Sequence, residues 1–138
     1  MRLKSVPDFI ENHRRSEDII ILGLSPSSKT VPFKNGTFAR LKSWCDEVGL
    51  TEWDFHNVIP DVVNGMHPSM VNVDLLLEKT KSRKKIIALG GVVSKICYKY
   101  NIPHLKIDHP SPRNRNLNSR QYELDLIERL RAYIHGTD

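Results

Sequence analysis

The sequence predicts an α/β fold: a three-layer α/β/α sandwich around a central, mostly parallel four-stranded sheet. Two observations carry this expectation. Ile19-Ile20-Ile21-Leu22 and Ile86-Ile87-Ala88-Leu89 are continuous apolar runs, each stopped by glycine, at Gly23 and at Gly90-Gly91. Four apolar residues without alternation fit a strand covered on both faces, as at the centre of a parallel sheet. The segments that follow carry apolar residues three and four apart, the period of a helix packed along one side. Strands alternating with helices imply crossover connections and therefore parallel strands.

Taken in order, residues 6–16 suggest a short helix with Phe9 and Ile10 inward and Arg14-Arg15 outward. The first strand, Ile19 to Leu22, comes next. From Gly36 to Val48, Phe38, Leu41, Trp44 and Val48 form one helical face, and Gly49 fits the residue that closes a helix. Trp53 to Ile59 reads as a strand stopped by Pro60, which lacks the N–H that a ladder needs. Residues 61–72 read as loop, with turn signals at Asn64-Gly65 and His67-Pro68-Ser69. Val73 to Lys79 gives a short helix. The basic run Lys79 to Lys85 is either a solvated connection or a contact for phosphates. The strand Ile86–Leu89 leads into a helix from Val92 to Tyr100, then a short strand from His104 to Ile107. A last helix runs from Ser119, its expected N-cap, to Ile134, with Tyr122, Leu126, Ile127, Leu130, Tyr133 and Ile134 on the apolar face.

A chain of 138 residues fits a single domain spanning 1–138. Its 21 Lys and Arg against 16 Asp and Glu give a net charge of +5. The resulting pI near 9.3 favours a polyanionic partner, nucleic acid foremost, and is equally compatible with a basic surface kept for solubility. Cys45 and Cys97 form no Cys-x-x-Cys pair and read as buried packing residues. A structural zinc or iron–sulfur site needs about four close ligands, so neither metal nor cofactor is expected. The N-terminus carries no apolar leader and no run approaches a membrane span. The expected setting is the reducing cytoplasm, close to DNA and away from membranes, with the protein a monomer.

Two loops stand out. Gly23-Leu24-Ser25-Pro26-Ser27 and His109-Pro110-Ser111-Pro112-Arg113-Asn114 each follow a strand, and ligands of open α/β sheets bind at strand carboxyl ends. A phosphate loop of the G-x-x-x-x-G-K-[ST] type is absent, as is a G-x-G-x-x-G after a strand, which disfavours an ordinary nucleotide-binding protein.

The order of these motifs resembles the uracil-DNA glycosylase superfamily. Gly23-Leu24-Ser25-Pro26-Ser27 is similar to its first motif, and Thr30 to Gly36 to the segment whose phenylalanine stacks on an extruded base. The helix ending in Gly49-Leu50, the strand Phe55-His56-Asn57-Val58 that would present a base-reading asparagine, the run Ile86 to Gly90, and His109-Pro110-Ser111-Pro112 follow in the family's order, across roughly residues 18–118. The resemblance implies a monofunctional DNA glycosylase without an iron–sulfur cluster. It would hydrolyse the N-glycosidic bond of uracil, or of a related damaged or modified base, flipped out of DNA.

On this reading Phe33 supplies the π surface, Asn57 reads the base edge through its paired acceptor and donor, and Gly23 and Leu24 complete the base-binding wall. His109 donates to the departing base, and Ser25 orients water. Ser27, Ser28 and Lys29, together with Ser111, Pro112, Arg113, Asn114 and Arg115, contact DNA. Asp108 is a candidate to orient the His109 ring, Asp61 a further acid, and His56 faces the other side of the sheet in a structural role. Taken singly, each has a plain alternative: Phe33 a core residue, Asn57 a strand-end asparagine, His109 a structural histidine, Ser25 a turn. Active relatives often carry aspartate or asparagine where Ser25 stands, which implies slow turnover or, as the alternative, a module of this fold that binds DNA or a modified base without cutting. Arg113 occupies the base-wedging position in place of an apolar residue.

Overall fold

The computed structural model describes residues 18–24, 35–59, 71–110 and 114–136 of the 138. Four strands form one sheet: β1 (Ile19–Gly23), β2 (Asp54–Asn57), β3 (Lys85–Leu89) and β4 (Leu105–Ile107). Four helices accompany them: α1 (Asn35–Glu47), α2 (Val73–Thr80), α3 (Gly91–Lys99) and α4 (Arg120–His135). The spatial order is β2-β1-β3-β4 and every pairing is parallel. The two continuous apolar runs are therefore the two central strands, with Ile20 opposite Ile86 and Ile21 opposite Ile87.

Alternation along these strands divides the core in two. Ile21, Ile87, Leu89 and Ile107 point to one face, where Leu41, Trp44, Cys45 and Val48 of the α1 region and Leu126, Ile127 and Leu130 of α4 cover them. Ile20, Leu22, Ile86 and Ala88 point to the other, against Leu76 of α2 and Val93 and Cys97 of α3. Helices on both faces complete the expected sandwich. Each fully buried Leu or Ile side chain contributes about 1.5–3 kcal/mol, so the sheet's inner residues dominate stability. Trp44, 1% exposed, also donates from Nε1 to Glu123 Oε2 at 3.1 Å, which satisfies its buried N–H.

Local chemistry sets the ends. Gly49, at φ 74°, closes α1, and Ser119 caps α4 by accepting from the Tyr122 N–H, both as expected. Arg131 donates to the Glu47 carbonyl and His135 lies against that of Val48, so α4 satisfies the last carbonyls of α1. The second strand is shorter than its apolar pattern, ending at Asn57. Its ladder nonetheless runs on through Val58 N–H to Gly23 O and Ile59 N–H to Leu24 O. A 3-10 turn at Arg115–Asn118, with only Leu117 buried, was not expected, because a single apolar residue leaves no periodicity to read. The short helix expected over residues 6–16 lies outside the described residues.

The Tyr133 hydroxyl both accepts from the Ile86 N–H (3.0 Å) and donates to the Ile86 carbonyl (3.1 Å). β4 first pairs β3 at Ile87, so the tyrosine completes the ladder just before the strand begins. A Tyr133→Phe variant strips both bonds from a buried segment. It is expected to lower unfolding free energy by about 1–3 kcal/mol in urea titrations, with the fold retained.

Cys45 and Cys97 are buried, as expected. Burial, reinforced by the neighbouring Asp46 charge, pushes the Cys45 thiol up to about 12, and burial alone pushes Cys97 up to about 11. Both are poor nucleophiles. Among the described residues no cluster of three metal-ligating side chains occurs, and no helix is long and apolar enough to cross a membrane.

Candidate functional site

In a parallel sheet all carboxyl ends lie along one edge. Here that edge carries Gly23 at the end of β1, Asn57 at the end of β2, Gly90 after β3, and Asp108-His109 after β4. The strand order also fixes where along the edge a crevice opens. The chain leaves β1 for α1 on one face and leaves β3 for α3 on the other. Adjacent strands whose connections diverge to opposite faces form a topological switch point, where ligands of open α/β sheets bind. The switch point lies between the ends of β1 and β3. β2 with Asn57 flanks it on one side and β4 with His109 on the other. At 4.7–4.9 Å per strand, the outer strands stand about 14 Å apart, so Asn57 and His109 lie on opposite sides of the switch point without touching.

Glycine at each central strand end has a local reason. A Cβ on Gly23 would stand 2.6 Å from both Asn57 Oδ1 and Phe55 Cζ, so the Asn57 side chain lies over the bare Cα of its register partner. Gly90 holds φ 88°, a left-handed conformation that side chains resist, and a Cβ there would meet the His109 Cβ at 3.5 Å. The Gly90 N–H donates to the Ile107 carbonyl at 2.8 Å and ties the ends of β3 and β4 together. α3 starts at once from Gly90, so its N-terminus also lies at this edge.

His109 is open to solvent on one side, yet the protein crowding the rest of its ring pushes its pKa below the usual 6.5. The imidazole is thus neutral at pH 7 and keeps one N–H to donate. Asp108 does not orient this ring. Its carboxylate accepts from the Tyr122 hydroxyl at 2.9 and 2.8 Å and from Asn114 Nδ2 at 3.0 Å. This hydrogen bond, first among several causes, raises the Tyr122 pKa.

Of the other site candidates, Leu24 packs half-buried against the α2–α3 face, so it meets the site through its backbone. Asn114 spends its side chain locally. Its Oδ1 caps the 3-10 turn by accepting from the Asn116 N–H, and its amide donates to Asp108 and to the His109 carbonyl. Arg115 is exposed on that turn, beside the His109 loop. Ser25, Ser27, Ser28, Lys29, Phe33, Asp61, Ser111, Pro112 and Arg113 lie outside the described residues. The basic run Lys79–Lys85 is at the opposite, amino end of the sheet, because Lys85 begins the strand whose far end is Leu89. There Arg83 pairs with Asp54 at 2.9 Å, Lys84 with Asp18 at 3.7 Å, and Lys85 stands 4.9 Å over the Tyr133 ring.

His56 points away from Asn57, to the α2–α3 face, and its buried Nε2 has no hydrogen-bond partner. Burial, with a smaller push from Lys79, lowers its pKa from 6.5 to about 4. Between these values the unfolded chain binds a proton that the folded chain refuses. Stability therefore falls as pH drops from 6.5 towards 4. At about 1.4 kcal/mol per pH unit, the loss is on the order of 2–3 kcal/mol. Urea unfolding of the protein and of a His56→Phe variant checks this: the difference between their stabilities should change across that interval and be flat above it.

Tyr122, expected on the apolar face of α4, is instead exposed, and its hydroxyl reaches Asp108.

The chain matches no protein-family model, no curated protein and no solved structure.

Proposed function

We propose that the chain is a DNA glycosylase that hydrolyses the N-glycosidic bond of uracil, or of a closely related modified pyrimidine, extruded from DNA. The observation that carries this reading is the placement of Asn57 and His109 along the carboxyl edge, flanking the switch point between β1 and β3, each beside a bare glycine. The motif order of the sequence and its net charge of +5 support the same reading.

In the proposed reaction the base enters the crevice from the carboxyl edge. The Asn57 amide accepts from N3–H and donates to O4. As the C1′–N1 bond breaks, its electron pair leaves with the base, and negative charge gathers on O2. The neutral His109 imidazole donates a hydrogen bond to that oxygen, a fixed donor where charge develops. Water adds to C1′ and releases its proton, leaving an abasic sugar. Phe33 is assigned the stacking role and Ser25 the water. The DNA-contact role falls to Ser27, Ser28, Lys29 and the Ser111–Arg115 segment. The reaction uses no cofactor.

The test is a panel of labelled oligonucleotides, each with one uracil or modified pyrimidine, single-stranded or paired with guanine or adenine. Protein treatment followed by alkali should cut the strand at the altered base in at least one context. Salt-sensitive binding without any cut across the panel overturns the enzyme reading in favour of a binding module.

A further inference from the structure

Asp108 and Asn114 stand at the two ends of the loop that begins with His109, and their side chains are joined directly. Tyr122, from the first turn of α4, bonds both oxygens of the same carboxylate. Asn114 also donates to the His109 carbonyl at 3.4 Å, and its Oδ1 fastens the loop's far end to the 3-10 turn. The buried Leu117 seats that turn in the core on the α1–α4 face. Two side chains, from the cap of the 3-10 turn and from α4, thus converge on the Asp108 carboxylate and tie the loop base together.

We propose that Asp108, Asn114 and Tyr122 form a brace that holds the His109 backbone in place, making them positioning residues for the reaction. The assignment rests on the glycosylase reading for its catalytic consequence, and on the hydrogen bonds alone for its mechanical one. An electrophilic donor must meet the oxygen that gathers charge, and a displacement near 1 Å costs roughly a hundredfold in rate. β4 is only three residues long and ends at Ile107, so the sheet alone does not hold His109. The brace supplies the missing constraint. The Asp108 carboxylate takes the hydroxyl and the amide donor together.

Two variants isolate the brace. Tyr122→Phe removes one donor and keeps the ring. Asn114→Ser keeps a side-chain oxygen for the turn cap but is too short to reach Asp108. Asp108→Asn serves as the rescue, since its oxygen can accept from Asn114 while its amide donates to the tyrosine oxygen; Asp108→Ala can do neither. Nitrogen-15 relaxation of the free protein reads the backbone at His109, and single-turnover alkaline scission of a uracil oligonucleotide at saturating protein reads the chemistry.

The expected result is an order parameter at His109 near 0.85 in the wild type that falls towards about 0.6 in Tyr122→Phe, Asn114→Ser and Asp108→Ala. The excision rate should fall roughly tenfold to a hundredfold in the same variants, with DNA affinity unchanged in Tyr122→Phe and Asp108→Ala, and Asp108→Asn close to wild type. A His109 backbone as rigid as wild type in the three variants overturns the brace, whatever the rate does. A loosened backbone with full rate overturns its role in positioning. If the wild type cuts no substrate, the glycosylase reading fails while the relaxation data still decide whether the brace holds His109.

Discussion

A His109→Asn variant is expected to lose about 10²- to 10³-fold in single-turnover excision, the usual cost of removing one fixed donor from a developing anion. The loss falls on the chemical step, because the imidazole meets significant negative charge only once the C1′–N1 bond is breaking. Folding should hardly change. His109 is exposed, and the Asn114 contact to this residue goes to its backbone carbonyl. Exposed substitutions of this kind stay within about 0.5 kcal/mol. The asparagine keeps an N–H, but on a shorter side chain that reaches a different point. Alkaline scission at saturating protein, beside a urea unfolding curve, separates the two effects. A full excision rate in the folded variant would remove His109 from the reaction.

The second large effect is expected from one added methyl group. Gly23→Ala places a Cβ 2.6 Å from Asn57 Oδ1 and from Phe55 Cζ. Both atoms are the far ends of side chains that can turn aside, so overpacking costs about 1–3 kcal/mol rather than the fold. What cannot survive is the position of the Asn57 oxygen over Gly23. A base reader displaced by an ångström or more loses roughly a hundredfold in excision, and discrimination among pyrimidines should fall with it. A urea curve and the oligonucleotide panel together check this: modest destabilisation with a large loss of rate is the expected pairing. Wild-type rate and selectivity in Gly23→Ala would mean that Asn57 reads no base.

The two central strands were legible because they are covered on both faces and so carry uninterrupted apolar runs. The helices were legible from their period, with Gly49 and Ser119 marking ends by chemistry that needs no tertiary context. Sheet order was not legible. Nothing in the residues of β2 says that it pairs with β1 at Gly23 opposite Asn57, and that pairing is what makes Gly23 necessary. The brace was missed for a related reason. Asp108 was weighed only against its neighbour His109, whereas its partners Asn114 and Tyr122 lie six and fourteen residues on, the latter on a helix that the fold brings back. Tyr133 shows the same gap, since an apolar-face tyrosine gives no sign that its hydroxyl completes the ladder at Ile86. The basic run Lys79–Lys85 is the reverse case. Once Lys85 starts a strand whose far end carries the site, that run must lie at the opposite edge from Asn57.

The central claim is spatial: one pyrimidine sits at the switch point, between the asparagine of β2 and the histidine beyond β4. Backbone amide shifts recorded while a single-stranded oligonucleotide with one uracil is added to the His109→Asn variant, which is slow to cut, test it most directly. The account expects the largest changes at Gly23, Asn57, Gly90 and residue 109, absent with a thymine control. Changes gathered instead along Lys79–Lys85 at the amino edge, or identical with uracil and thymine, would contradict it.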